Sequence, residues 1–183
     1  MRNPKITAMV TYAIVTALMC IFGPMSVPIG PIPVSLTNLI IYFAIFIIGT
    51  QGTTIAFVVY LLLGIVGLPI FSGYQGGPAK IAGPTGGYLI GFIFMSIICG
   101  VVYNKFKGSK LDIPMTVLGM IVGTLVAYAF GTAWFVYQAK CELGYALSVC
   151  VIPFIPFDLG KIVIANLLGR AVRKPLVKQG LIK

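Results

Sequence analysis

The sequence predicts an all-α integral membrane protein: one domain over residues 1–183, folded as a bundle of six transmembrane helices with the N and C termini cytoplasmic. Three observations predict it. First, 59% of the residues are hydrophobic and 9% charged, with a mean hydropathy of +1.06; soluble domains carry about 45–50% and about 25%. So few polar groups cannot cover the surface of a water-soluble domain of this size, whereas lipid removes the need. Second, the apolar residues fall into runs near the roughly 20 helical residues that cross a bilayer. Third, the 13 Lys and Arg, set against 3 acidic residues for a net charge of +10, gather at the ends of those runs. A basic balance otherwise suggests nucleic-acid binding; this placement argues against it and for a membrane protein.

The first run covers residues 6–23, behind Arg2 and Lys5. Pro24 follows directly, no Ala-x-Ala site appears and further spans come at once, so the run reads as a transmembrane helix rather than a signal peptide. Residues 24–34, PMSVPIGPIPV, are uncharged and dense in proline and glycine, which gives a structured, non-helical loop. The second helix, 35–48, is short for a span, so part of that loop is expected to enter the membrane with it. GTQG at 49–52 makes a tight turn into the third helix, 53–67. A second Gly/Pro-rich loop, LPIFSGYQGGPAKIAGP, fills 68–84. The fourth helix covers 85–103, the hydrophilic NKFKGSKLD connects at 104–112, and the fifth covers 113–137. Residues 138–157 suit a short interfacial helix, and the sixth span runs over 158–172 before the basic tail RKPLVKQGLIK.

Six spans put both termini on one side. On that topology Arg2, Lys5, Lys105, Lys107, Lys110, Arg170, Arg173, Lys174, Lys178 and Lys183 share the face of the termini, and only Lys80, Lys140 and Lys161 lie opposite. The positive-inside rule then makes the termini cytoplasmic. Both Gly/Pro-rich loops and PFIPFDLGK at 153–161 face outside.

Those three outer segments are where chemistry is expected. Irregular backbone at membrane depth survives where it is buried in protein or lines a cavity, and its N–H and C=O groups suit a small polar ligand; plain connecting loops are the alternative reading. Asp158 and Lys161, three apart, share a helix face. They either neutralise each other or hold a ligand between or over them, the aspartate accepting from ligand N–H groups and the lysine attracting a carboxylate or orienting the aspartate. Asn38, Tyr42, Gln51, Tyr74, Gln75, Tyr88, Trp134, Tyr137 and Asn166 are candidate pocket-lining groups, although Trp134 and Tyr137 also suit an interfacial belt and Gln51 lies in an inner turn. Small residues recur at helical spacing: Gly119, Gly123, Ala127 and Gly131; Gly83, Gly87 and Gly91; and Ala13 and Ala17. Such ladders let helices approach closely in lipid. The first two read as internal packing, while the third suits either packing or a separate membrane partner.

Other function classes lose support. The chain has no His and 4 Cys, with no CxxC pair, so metal or haem sites and the usual catalytic triads are not expected. Cys20 and Cys99 sit inside apolar runs; spacing alone does not decide whether Cys141 and Cys150 pair. No phosphate loop is present, and neither paired midmembrane carboxylates nor a clear internal repeat appears. The chain suits binding a small solute from outside and shows no energy source for moving it uphill.

VPIGPIPVSLTN (27–38), YLLLGIVGLPIFSGYQGGP (60–78), GPTGGYLIGF (83–92) and PFIPFDLGK (153–161) resemble the BioY family, the biotin-binding S components of energy-coupling factor (ECF) transporters of prokaryotes. The likeness spans nearly the whole chain. It departs at Ser35-Leu36-Thr37, at Thr50-Gln51 and at Tyr74, which stands where relatives often have glycine. The resemblance implies a non-catalytic, cofactor-free subunit in the cytoplasmic membrane that captures biotin with high affinity from outside. It implies as partners a transmembrane coupling protein (T component) and two cytoplasmic ATPases. It implies a biotin site drawing on Asp158, Lys161, Tyr88, Gly76 and Gly77, to which the polar candidates Gln75 and Asn38 are added, and a coupling contact at Ala13 and Ala17. Asp158 suits the ureido N–H groups; Lys161 suits either the ureido carbonyl or the tail carboxylate. A stand-alone carrier for another solute and a membrane-embedded enzyme are the competing readings, the second without any nucleophile–base set.

Overall fold

Helices form where the apolar runs lie. The computed structural model describes residues 4–182, so Arg2 and Lys183 fall outside the described residues. The elements in order are α1 (Pro4–Phe22), β1 (Ser26–Ile29), β2 (Ile32–Ser35), α2 (Thr37–Val66), α3 (Pro78–Ala82), α4 (Gly86–Phe106), α5 (Asp112–Ala139), α6 (Leu143–Cys150) and α7 (Ile155–Lys178). By length and apolarity α1, α2, α4 and α5 can each cross a membrane, and α6 with α7, bent by 43° at the break between them, makes a fifth span if counted as one. Large apolar side chains such as Met9, Leu125, Val163 and Leu167 point outward, as lipid permits and water would not.

The second and third predicted helices form one run, α2, interrupted at a single residue rather than by a four-residue turn. Gly49 has φ 66 and ψ −170, a region essentially open only to glycine. A straight helix of 30 residues would be about 45 Å long, yet Asn38 and Tyr60, from opposite sides of Gly49, line the same cavity. The chain therefore doubles back at Gly49.

The loop expected at 24–34 is a β-hairpin, with Val27 paired to Val34 and Pro28 to Pro33. Proline argues against interior strands, but a two-stranded ribbon needs few ladder hydrogen bonds. Gly30, at φ 72, supplies the first corner of a two-residue turn. The second Gly/Pro loop is fastened to the first, because Gly73 N–H donates to the Pro24 carbonyl. Phe71 is fully buried, where its ring meets Gly64 and Tyr60.

The α5 ladder and the Gly87–Gly91 part of the other pack inside the bundle, whereas Gly83 lies before α4, at the end of α3, where a side chain would meet only the Ala79 and Lys80 carbonyls. On α5, Gly119 faces Val102, Gly123 faces Cys99 and Met95, and Gly131 faces the Tyr88 ring; from α4, Gly87 meets Trp134 and Gly91 meets Ala127. The interfacial helix expected within 138–157 is α6. The last span begins three residues earlier than predicted and continues to Lys178 through Pro175; Arg173, Lys174 and Lys178 of the expected tail thus sit on its final turns, where they complement the helix dipole. All four cysteines carry free thiols.

The two ends of the bundle differ. At one, Ile6 of α1 and Ile182 beyond α7 line a common groove. Nearby on α7, Arg170 pairs with Asp112 of α5 at 2.7 Å and lies over the Phe46 ring of α2, while Arg173 donates to the Phe46 carbonyl. The hairpin, α3, α6 and the start of α7 occupy the other end.

Candidate functional site

At that other end the first turns of α7 bring Asp158 and Lys161 inside, 5% and 7% exposed. Pro156 lies in the opening turn, where its missing N–H costs no hydrogen bond, and a carboxylate in the first turn suits the helix dipole. Lys161 Nζ donates to Asp158 Oδ1 at 2.9 Å, to Asn38 Oδ1 at 3.0 Å and to the Ser35 carbonyl at 2.7 Å. An ammonium has three donors, so Lys161 is saturated. It joins α7 to α2 and to the end of β2.

Asp158 is held from three directions. Oδ1 accepts from Lys161 and, at 2.8 Å, from Asn38 Nδ2; Oδ2 accepts from the Tyr128 hydroxyl at 2.7 Å. A carboxylate offers about four acceptor positions, so Oδ2 keeps one. The Asn38 oxygen accepts from Lys161 and from the Leu39 N–H, and its amide nitrogen retains one hydrogen. By these bonds the buried network keeps one acceptor position on Asp158 Oδ2 and one further hydrogen on Asn38 Nδ2, which Tyr42 also approaches. A group presenting an N–H next to a C=O would complete both.

These residues floor a cavity of about 50 Å³ whose walls include Ile32, Tyr88, Leu89, Phe92 and Phe154. Outside it lies an open groove of about 760 Å³ between the hairpin and the 72–85 segment. Pro33, Ser72 and Thr85 line both spaces, so one leads into the other.

Of the expected site residues, Asn38, Tyr88, Asp158 and Lys161 line the cavity. Gln75 and Gly76 line the groove. Gly77 shapes the loop: at φ 87 its N–H donates to the Gly64 carbonyl at 2.7 Å. Tyr88 contributes its ring, stacked on Phe154, and spends its hydroxyl on the Cys150 carbonyl at 2.6 Å, fixing the α6–α7 break. Tyr42 lies deeper, bonded to Thr124. Trp134 donates to the Gly83 carbonyl at 2.9 Å and anchors the approach to α4. Tyr74 and Tyr137 are exposed, and Asn166 is buried beside Met120. The sequence reading missed Tyr128 and the Ser35 carbonyl. Tyr128 left a trace, because Asp112, Thr116, Thr124 and Tyr128 recur at multiples of four along an apolar helix, and intramembrane polar groups mark functional sites.

These features define a membrane-embedded helical bundle with a small, polar-floored cavity at one end. The chain belongs to the BioY family, whose family model matches residues 1–178. It is 33% identical over 161 residues to a biotin transporter BioY of Thermotoga maritima, covering 88% of this chain and 92% of that protein. It is also 33% identical over 177 residues to a biotin transporter BioY of Rhizobium etli, covering 93% and 92%. A crystal structure of the S-component for biotin from an ECF-type ABC transporter superposes with a TM-score of 0.86 at 30% identity, covering 95% of both chains.

Proposed function

We propose that this chain is the biotin-binding S component of an ECF-type importer in the cytoplasmic membrane of a prokaryote, capturing biotin from outside and passing it on through an ATP-driven complex. The observation that carries the site assignment is the spare acceptor position on buried Asp158 with the Asn38 amide beside that carboxylate, both residues lining the cavity. Biotin's ureido ring has N–H groups flanking one carbonyl, which matches that pair, and its fused sulfur ring suits the apolar walls. An analogue without the N–H groups would leave buried polar atoms unpaired and be rejected.

The fold supports finer readings. With α2 counted as two spans about Gly49 and α6–α7 as one, the chain crosses six times. Both ends of the chain then lie on the side richer in Lys and Arg, which the positive-inside rule makes cytoplasmic. Ala13 and Ala17 are exposed on α1 beside outward-facing Met9, Val10 and Ile14. A small-residue strip on a lipid-facing helix suits close contact with a transmembrane coupling protein, and two ATPases bound to that partner would supply the energy. Gln75 and Gly76 would contact the parts of biotin that emerge from the cavity.

Titration calorimetry on detergent-purified protein tests the reading. Biotin should bind, and Asp158→Asn should weaken binding by at least about 1.5 kcal/mol, the low end for a hydrogen bond to a charged group. Folded wild type that takes up no biotin would overturn it.

A further inference from the structure

Biotin's tail ends in a carboxylate, and the saturation of Lys161 leaves that anion without a cation to spare among the described residues that line the cavity. Its three donors already serve Asp158, Asn38 and Ser35, and the other charge there, on Asp158, would repel it. The path out of the cavity leads past Thr85, which is 9% exposed and whose hydroxyl has no hydrogen-bond partner among the described residues. Thr85 occupies the position before α4 where a threonine usually caps the helix, yet its side chain makes no capping bond. Buried hydroxyls are normally satisfied, and each exception calls for a cause. A ligand passing from cavity to groove supplies one, because Thr85 lines both.

Among the described residues that line the groove beyond, the one cation is Lys80 of α3. Its Nζ donates to Gln75 Oε1 at 2.7 Å, which leaves two donors. The ion pairs among the described residues are Lys161–Asp158 and Arg170–Asp112, so Lys80 has no carboxylate partner among them. Partial burial pulls its pKa below the usual lysine value; a charge held at that desolvation cost is relieved by an anion. Clusters of this kind are placed by neighbours: Gln138 donates to the Ala82 carbonyl and Trp134 to that of Gly83, so the C-terminal end of α5 fixes the backbone between Lys80 and Thr85.

We propose that Lys80 and Thr85 form a carboxylate subsite at the cavity mouth, which binds the tail of the ligand while Asp158 and Asn38 bind its ring. The inference rests on the biotin reading above. It resolves the two roles open to Lys161 by making that residue an internal brace and giving the tail to Lys80.

The test compares biotin with its neutral tail amide, biotinamide, by calorimetry on the full-length protein. Wild type should prefer the acid by about tenfold, the scale of one hydrogen bond to a charged group. Lys80→Gln should lower the affinity for biotin to about that for the amide, and Lys80→Arg, checked for folding by thermal unfolding, should restore the preference. Thr85→Val should weaken biotin several-fold. Asp158→Asn should weaken acid and amide together and keep their ratio. Wild type that binds both compounds equally, or Lys80→Gln that keeps the full preference for the acid, would overturn the subsite and leave the biotin reading standing. Failure of wild type to bind either compound would overturn both.

Discussion

Replacing Lys161 with methionine tests whether the site is held together by a buried ion pair. Methionine keeps much of the lysine stem and removes the ammonium. Three donations vanish, to Asp158, Asn38 and the Ser35 carbonyl, and Asp158 stays buried with only Asn38 and Tyr128 to stabilise its charge. Removing one partner of a buried pair costs about 3–5 kcal/mol. The two hydrogen bonds that Asp158 keeps put the expected loss near the lower figure, about 3 kcal/mol. At about 2–4 °C per kcal/mol for a chain of this length, the unfolding midpoint in detergent should fall by about 6–12 °C. Asp158→Leu and the double variant complete a cycle. Because the double variant leaves no unpaired buried charge, its loss should be smaller than the sum of the single losses by about 1–3 kcal/mol. Additive losses, or a Lys161→Met midpoint equal to that of wild type, would refute the reasoning.

Three further perturbations probe the frame around the site. Gly49→Ala forces a side chain into φ 66, ψ −170 and should cost about 1–3 kcal/mol in thermal unfolding; a neutral result would mean that α2 does not double back there. Gly131→Ala puts a methyl against the Tyr88 ring, so it should destabilise by about 1–3 kcal/mol and weaken biotin binding by disturbing Tyr88 and, through its hydroxyl, the α6–α7 break; unchanged stability and binding would remove Tyr88 from the wall. Replacing Ala13 and Ala17 together with tryptophan should block co-purification with a coupling protein while biotin binding survives, and loss of binding instead would place that face of α1 with the pocket.

The sequence made some of this legible because local spacing carries it. Asp158 and Lys161 had to share a face, and the α5 glycines had to meet a neighbouring helix whatever the fold. Gly49 signalled a reversal, although not that one residue would suffice. The hairpin was hidden because its prolines weigh against strands, and only the pairing of Val27 with Val34 and the Gly30 corner offset them. The identity of the partners was hidden for a different reason. Asn38 and Tyr128 reach Asp158 across 120 and 30 residues of chain, and periodicity within one helix says nothing about which helix it faces. The saturation of Lys161 depends on a backbone carbonyl, at Ser35, which no residue type announces.

The central claim is that Asp158 and Asn38 read the polar ring of biotin while Lys161 braces them. A structure of the protein with biotin bound tests it most directly. The expected result is a ureido N–H within hydrogen-bond distance of Asp158 Oδ2, the ureido oxygen on Asn38 Nδ2, and Lys161 still bonded to the Ser35 carbonyl. A ring seated outside the cavity, or a tail carboxylate paired with Lys161, would contradict it.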